Sequence, residues 1–145
     1  MKKTLTILII ALGFSFNSFT QTKQNDATWE ETIEFLKENL HYATSYKPFK
    51  MTYEINSKEL IKTSHFTQSP KSFETFKLER LFLTKTSDKY NSLGSLGYTL
   101  NLINVNKNGG NIRMFIKDYS MYNRINKAFM QLAFYAKLKR EKSRF

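Results

Sequence analysis

The chain has 145 residues, with 23 lysines and arginines against 12 acidic residues, a net charge of +11, and no cysteine. The absence of cysteine excludes disulfides, a thiolate nucleophile, thiolate metal sites and a lipid anchor on cysteine. Thirteen phenylalanines and eight tyrosines provide enough apolar area for a substantial core, and the length fits a single domain.

The first twenty residues have the three-part pattern of a secretory signal peptide. Lys2 and Lys3 form a positive start, residues 5–16 are uncharged and mainly apolar, and Ser18 and Thr20 are small residues before a cut at Gln21. We therefore expect a signal peptide over 1–20 and a periplasmic or extracellular protein. The apolar run of about 12 residues is short of the roughly 20 that cross a bilayer, so we expect no transmembrane span in the mature chain. An uncleaved anchor or a buried N-terminal helix are the alternatives.

Export changes which binding partners the positive net charge indicates. Removing residues 1–20 leaves 21 basic and 12 acidic residues, a net charge of +9. In the cytoplasm this balance would indicate nucleic acid. Outside it, anionic lipids, polysaccharides or acidic proteins are the natural partners, which argues against nucleic acid. A cysteine-free exported domain fits a bacterial periplasm or outer surface.

After a flexible lead over 21–27, the first predicted helix begins at Thr28. Thr28 and Glu31 match the capping box, in which each side chain accepts a hydrogen bond from the other residue's backbone N–H. One face of this helix is apolar and the opposite face is acidic, and the helix should end near His41 or Tyr42. The apolar positions are Trp29, Ile33, Leu36 and Leu40, and the acidic ones are Glu31, Glu34 and Glu38.

About five antiparallel strands follow, since apolar and polar residues alternate in short runs. Asn56-Ser57 and Asn108-Gly109-Gly110 are typical of turns, and residues 87–95 form a polar loop. The third strand is apolar on both faces in places, which predicts a central strand. The predicted strands cover 49–55, 60–67, 73–84, 98–102 and 112–116.

A last helix, capped by Asp118 or Ser120, completes an α+β domain over 28–145. The expected architecture is a curled antiparallel sheet with the C-terminal helix packed on it. A flatter sheet with both helices on one face is the alternative.

The last helix has two apolar stripes. At 100° per residue, the first stripe lies within about 60° of Ile125 and suits packing on the sheet; it consists of Ile125, Ala128, Phe129, Leu132 and Ala136. The second stripe, Met130, Phe134 and Leu138, lies on the opposite side. We expect either the first helix or a loop to cover it, with Phe35 and Tyr42 as candidate contacts, or a partner protein or second copy to bind there. Membrane insertion is a third alternative.

The helix ends in a basic cluster, which we define as Lys137, Lys139, Arg140, Lys142 and Arg144. Cations suit the C-terminal end of a helix dipole, so a solvated helix end explains the cluster. The functional alternative is contact with an anionic surface, which would weaken with salt.

Catalytic motifs are missing from the sequence, and we predict no catalytic residue, metal or cofactor. His41 and His65 have no metal-binding spacing, and each is typical of an ordinary structural or surface histidine. A carboxylate pair assembled by the fold is the remaining enzymatic alternative. The candidates for it are Glu54, Glu59, Glu74 and Glu79.

Two segments carry a resemblance. Together with the lysine-rich end, they resemble small exported proteins of Bacteroidota. The segments are Trp29-Glu30-Glu31-Thr32-Ile33-x-x-Leu36 and Arg124-Ile125-Asn126-Lys127-Ala128-Phe129-x-x-Leu132. In outline, strands followed by one C-terminal helix also resemble pleckstrin-homology-like domains. The resemblance implies an exported α+β protein and assigns no catalytic residues. We therefore expect a non-enzymatic exported domain that is protein-binding or structural, with binding to anionic lipid or polysaccharide as the alternative.

Overall fold

A computed structural model of the chain describes residues 26–45, 49–86, 94–106 and 110–144. The expected signal peptide over 1–20 and the turn at Asn108-Gly109 lie outside these residues. Within these residues, one α-helix precedes seven strands and another follows them, and short 3-10 turns follow α1 and β4. The elements are α1 (Trp29–Asn39), a 3-10 turn (Leu40–Tyr42), β1 (Ala43–Thr44), β2 (Lys50–Ile55), β3 (Glu59–His65), β4 (Ser72–Lys77), a 3-10 turn (Leu78–Arg80), β5 (Leu81–Thr86), β6 (Tyr98–Asn104), β7 (Ile112–Ile116) and α2 (Tyr119–Lys142).

Helix α1 begins with the predicted capping box. The Glu31 backbone N–H donates to the Thr28 hydroxyl at 3.2 Å, and the Glu31 carboxylate accepts from the Thr28 N–H at 2.7 Å. The hydrogen bond from the Thr28 N–H, followed by one from the Thr28 side chain, stabilises the charged carboxylate and lowers the pKa of Glu31. Ile33 and Leu36 are buried on the inner face, as predicted.

The α+β class, with antiparallel strands and a C-terminal helix packed on the sheet, is confirmed. The strands form two sheets that do not close into one, a four-stranded sheet in the order β1-β7-β6-β5 and a three-stranded sheet in the order β2-β3-β4. The structure has seven strands rather than about five, because it adds the short β1 and divides the third predicted strand in two.

The prediction of one central strand over 73–84 was wrong. β4 and β5 belong to different sheets, and each is an edge strand. Leu78 and Leu81 are both fully buried although they are three residues apart, a spacing that a 3-10 turn satisfies and a continuous strand does not. The Leu78 N–H donates to the Lys58 carbonyl at 2.8 Å, which anchors this turn beside the β2–β3 hairpin. Phe73, at the start of this predicted central strand, is 65% exposed.

The β2–β3 turn falls where predicted. The Asn56 side-chain oxygen accepts from the backbone N–H groups of Lys58 and Glu59, at 2.8 and 3.0 Å. This side chain therefore satisfies the turn's backbone donors and fixes the register that pairs Ile55 with Leu60.

The two sheets are joined through Tyr53, which is buried on β2. Its hydroxyl donates to the Arg113 carbonyl of β7 at 2.9 Å, and the Thr44 carbonyl of β1 lies 3.3 Å away. Burial, reinforced by the charge of Glu74, raises the pKa of the Tyr53 hydroxyl well above its ordinary value. Tyr53 therefore stays neutral and supplies a polar link between the sheets.

Helix α2 closes the core. The Met121 N–H donates to the Asp118 carboxylate at 2.6 Å, so Asp118 is the N-cap, one of the two predicted. The prediction that the first stripe packs inward is confirmed, because its members are all buried: Ile125, Ala128, Phe129, Leu132 and Ala136. Within the described ranges, no helix combines the length and apolar character that crossing a bilayer requires.

Candidate functional site

One side of α2 packs against the start of α1. Gln131 is fully buried, and its amide donates to the Ala27 carbonyl at 3.0 Å. The Tyr135 hydroxyl donates to the same carbonyl at 2.8 Å, and its ring meets Trp29 edge-on at 6.4 Å. The Arg124 guanidinium lies 5.1 Å above the Phe35 ring, further along the same side. Helix α1 is therefore fixed along one flank of α2.

The other flank of α2 lies on β5 and the 3-10 turn before it. The Thr84 hydroxyl donates to the Asn126 side-chain oxygen at 2.7 Å. The Arg140 guanidinium donates to the Glu79 carbonyl at 2.6 Å and to the Leu81 carbonyl at 3.2 Å. Burial lowers the pKa of Arg140, with a smaller contribution from nearby Arg144.

The second stripe lies on the remaining side of α2. Phe134 is nine residues from Ile125, which places it about 180° round the helix from the core. Met130 and Phe134 are half-buried, and Leu138 is 37% exposed. The α1 contacts described above involve other positions of α2. Phe35, one expected cover, contacts Arg124, and Tyr42, the other, is 44% exposed.

The basic cluster is not uniform. Arg140 binds backbone carbonyls, Lys139 lies 5.0 Å above the Trp29 ring, and Lys137 is 3.9 Å from the Glu141 carboxylate. Lys142 and Arg144 are exposed and have no ion pair within the residues that the structure describes. The cluster therefore combines side chains that stabilise the fold with two that are free to contact an anion.

Two of the four predicted carboxylate candidates, Glu54 and Glu74, lie on the three-stranded sheet. Glu54 pairs with Ile61, and Glu74 pairs with Lys62, so Glu54 and Glu74 project from opposite faces of the three-stranded sheet. Glu74 binds the Lys62 ammonium at 2.9 Å. These two carboxylates therefore cannot act on one substrate.

Glu59 and Glu79 do border one cleft, of about 480 Å³. Three lysines share its lining, so its charge is mixed rather than acidic. The remaining lining residues are Trp29, Ser57, Lys58, Lys77 and Lys139.

The two histidines are apart. The His65 Nε2 atom lies 3.2 Å from the Thr52 hydroxyl within the sheet, and His41 is exposed beside the Tyr42 ring. Across the described part of the chain, no three histidine or acidic side chains are grouped to hold a metal ion.

A groove separates β1 from β2, the facing edge strands of the two sheets. Its volume is about 700 Å³. Its lining includes buried apolar residues and exposed basic ones, a combination that sequence patterns did not reveal because the lining comes from four separate segments of the chain. We name it the inter-sheet groove and define it by Leu40, Ala43, Met51 and Tyr53 on its apolar side and Lys37, His41, Lys50, Glu54 and Lys117 among its polar residues.

Some structural positions were not apparent from the sequence. Gln131 and Tyr135 do not belong to either apolar stripe of α2, so helical periodicity does not predict their contacts. Both donate to the Ala27 carbonyl, a partner that only the fold brings close. The packing role of Gly97 was not apparent either. In the structure a Cβ at Gly97 would lie 2.3 Å from the ring of Phe115, so this glycine allows a fully buried aromatic to pack against the backbone.

The chain matches no protein-family model, and comparisons with curated proteins and with solved structures also give no match.

Proposed function

We propose that the protein is a non-enzymatic exported domain that binds a partner protein, a second copy of itself or another chain, through the second stripe of α2. The observation that carries this proposal is the position of Phe134. It lies on the side of α2 opposite the core, while both flanks of the helix are already occupied by α1 and β5. Apolar side chains in such a row are typical anchors for a protein partner.

The residues beside the second stripe indicate the partner's chemistry. Lys127 and Lys137 border it, and Glu141 is the acidic neighbour. A matching surface would carry an apolar centre with acidic residues at its rim, because complementary charge guides association. The net charge of +9 expected for the mature chain favours an acidic partner in the same way.

The proposal requires that the second stripe contributes little to folding. Because Phe134 is only half-buried, we expect Phe134→Ser to lower the free energy of unfolding by about 1 kcal/mol, roughly half the value of a fully buried side chain. The matched control is Leu132→Ser, which removes a fully buried side chain of the same helix and should cost several kcal/mol. Equal losses for the two variants in urea titrations would show that the second stripe is core and would defeat the proposal.

Partner binding is tested by placing a photo-crosslinking amino acid at position 134 in the organism that makes the protein. We expect a protein adduct, either at twice the chain mass or larger, that disappears when Leu138→Asp is added. The same amino acid at exposed Glu38 is the control. An adduct pattern at 134 that equals the pattern at 38 would contradict partner binding.

The alternative function is contact with anionic lipid or polysaccharide through the basic cluster. It is favoured by the exposure of Lys142 and Arg144, which have no ion pair within the described ranges. Co-sedimentation with anionic vesicles or an acidic polysaccharide should be strong at low salt and weak at high salt. The double variant Lys142→Glu/Arg144→Glu should abolish it, whereas binding unchanged in this variant would exclude the cluster. Arg140 is unsuitable for this test, because it holds the Glu79 and Leu81 carbonyls.

Export is part of the proposal, and it is supported by the three-part pattern of residues 1–20. The protein isolated from its source should begin at Gln21 when its N-terminus is sequenced. Recovery of the chain with Lys2 and Lys3 still present, in the cytoplasmic fraction, would reject export.

The outline of seven antiparallel strands in two sheets followed by α2 also supports a pleckstrin-homology-like arrangement. Helix α1 departs from that arrangement. No ligand is inferred from the outline.

A further inference from the structure

We propose that the inter-sheet groove binds an anionic amphiphile, a molecule with an aliphatic chain and a carboxylate or phosphate head group. This site is separate from the second stripe of α2 and does not depend on the function proposed for that stripe. The inference comes from three properties of the groove, namely its size, its apolar side and its charge.

The groove exists because the two sheets separate at this point. Among the described residues, β1 pairs with β7 alone and β2 with β3 alone, and these two edge strands lie beside each other without forming a ladder. The Tyr53 hydroxyl, near the Thr44 and Arg113 carbonyls, bridges the strands at the base. The resulting volume of about 700 Å³ falls in the range of roughly 300–1,000 Å³ that is typical of small-molecule sites.

The apolar side of the groove is made by residues of the core. Leu40, Ala43, Met51 and Tyr53 are each buried, and they belong to the 3-10 turn after α1, to β1 and to β2. Phe49 is half-buried at the same site, and its ring lies 4.8 Å from that of Phe66. An aliphatic chain placed here would leave water and contact methyl, thioether and ring surfaces, which is favourable in proportion to the area removed from water.

The charged residues of the groove are mainly cationic, three lysines with one glutamate. Lys37 is already bound to Glu34 at 2.5 Å. Lys50 and Lys117 are exposed and have no ion pair within the described residues, and Glu54 is the acidic lining residue. Two unpaired ammonium groups beside an apolar surface complement a negatively charged head attached to a hydrocarbon chain. A neutral lipid would gain the apolar contact only, and a small anion would gain the charge only.

Isothermal titration calorimetry with the purified protein tests the proposal, using decanoate below its micelle concentration at low ionic strength. We expect one decanoate per chain, no binding of acetate, and at least tenfold weaker binding of decanol. Decyl phosphate is compared with decanoate, and the tighter of the two identifies the head group. No binding of either amphiphile, or decanol binding as tightly as decanoate, would overturn the proposal.

Charge reversal locates the site. Lys50→Glu/Lys117→Glu should weaken binding by about tenfold or more, since each exposed charge contact is worth a few tenths to 1 kcal/mol and reversal adds repulsion. The matched control, Lys71→Glu/Lys85→Glu, makes the same change in net charge at two exposed positions outside the groove lining and should bind like the parent protein. Equal weakening in both variants would show that only net charge matters, and would reject the groove.

NMR of the unsubstituted protein provides a test that does not depend on variants folding. Decanoate should shift the methyl resonances of Ala43 and Met51 while leaving that of Ala128, buried on the inner face of α2, unchanged. Shifts confined to residues outside the groove would refute the assignment.

Discussion

Replacing Tyr53 by phenylalanine removes one oxygen atom and breaks the polar link between the two sheets. The lost hydroxyl donates to the Arg113 carbonyl at 2.9 Å and lies 3.3 Å from the Thr44 carbonyl. Tyr53 is only 7% exposed, so its ring is packed in the core. Phenylalanine keeps this ring and therefore its apolar packing. The variant therefore isolates the hydrogen bond from the packing.

At pH 7 the expected loss of unfolding free energy comes from the missing hydrogen bond to the Arg113 carbonyl. Removing the donor of a part-buried hydrogen bond costs roughly 1–3 kcal/mol, so we expect the Tyr53→Phe protein to lose about 2 kcal/mol of unfolding free energy. The size of this loss depends on whether water can reach the Arg113 carbonyl through the inter-sheet groove, which Tyr53 lines. Values near the lower limit would indicate that water replaces the hydroxyl.

The same variant has a distinctive dependence on pH. Burial, followed by the charge of Glu74, raises the pKa of Tyr53 in the folded protein, so the unfolded chain releases this proton first as pH rises. Below about pH 10 the Tyr53 hydroxyl is protonated in both states, and the stability contributed by the raised pKa is complete. Above pH 10 the unfolded chain ionises while the folded protein does not, which lowers the free energy of unfolding by about 1.4 kcal/mol at pH 11. Tyr53→Phe lacks this loss. The difference between the two proteins should therefore shrink from about 2 kcal/mol at pH 7 to about 0.6 kcal/mol at pH 11.

Urea unfolding, followed by far-UV circular dichroism at pH 7, 9, 10 and 11, measures both effects. Tyr42→Phe is the control, because Tyr42 is 44% exposed and its hydroxyl makes no hydrogen bond within the described residues. A Tyr53→Phe protein as stable as the parent at pH 7 would refute the link between the sheets. A difference that stays constant up to pH 11 would refute the raised pKa.

Three further substitutions test particular contacts. Gly97→Ala should cost about 1–3 kcal/mol of unfolding free energy, because the new Cβ would lie 2.3 Å from the buried Phe115 ring, and a neutral result would show that the ring can move aside. Thr99→Val should raise the thermal midpoint by a few degrees, since the Thr99 hydroxyl is fully buried without a partner within the described residues; a lower midpoint would reveal a bond to that hydroxyl. Arg140→Ala should cost about 1–3 kcal/mol of unfolding free energy in urea titrations, since it removes the hydrogen bonds from Arg140 to two carbonyls. Lys142→Ala is the control and should be neutral. Equal effects of the two substitutions would contradict the structural role of Arg140.

Local patterns in the sequence were enough to predict both helices. Thr28 and Asp118 act as N-caps, and Ile125 and Leu132 are buried, because caps and helical periodicity depend on neighbours within a few residues along the chain. The alternation over Lys50–Ile55 predicted β2 in the same way. The second stripe was recognised as a distinct face, while the degree to which its side chains are buried required the structure.

Strand pairing could not be read from the same patterns. Residues 73–84 are rich in apolar side chains, and a continuous strand and a pair of edge strands joined by a 3-10 turn leave nearly the same pattern. Burial of both Leu78 and Leu81, together with the Lys58 carbonyl that accepts from Leu78, decides between them. These partners lie far enough along the chain that only the fold brings them together.

By itself, then, the sequence determined the two helices, the antiparallel α+β class and the cationic character of this protein, since each depends on composition or on periodicity within one segment. Tertiary structure alone decided that the sheet divides in two, that Tyr53 joins the halves and that a groove with Lys50 and Lys117 beside it opens between them. It also decided which flanks of α2 are occupied. The physical reason is that burial, pKa and cavity shape are set by contacts between residues distant in the chain, which no local pattern encodes.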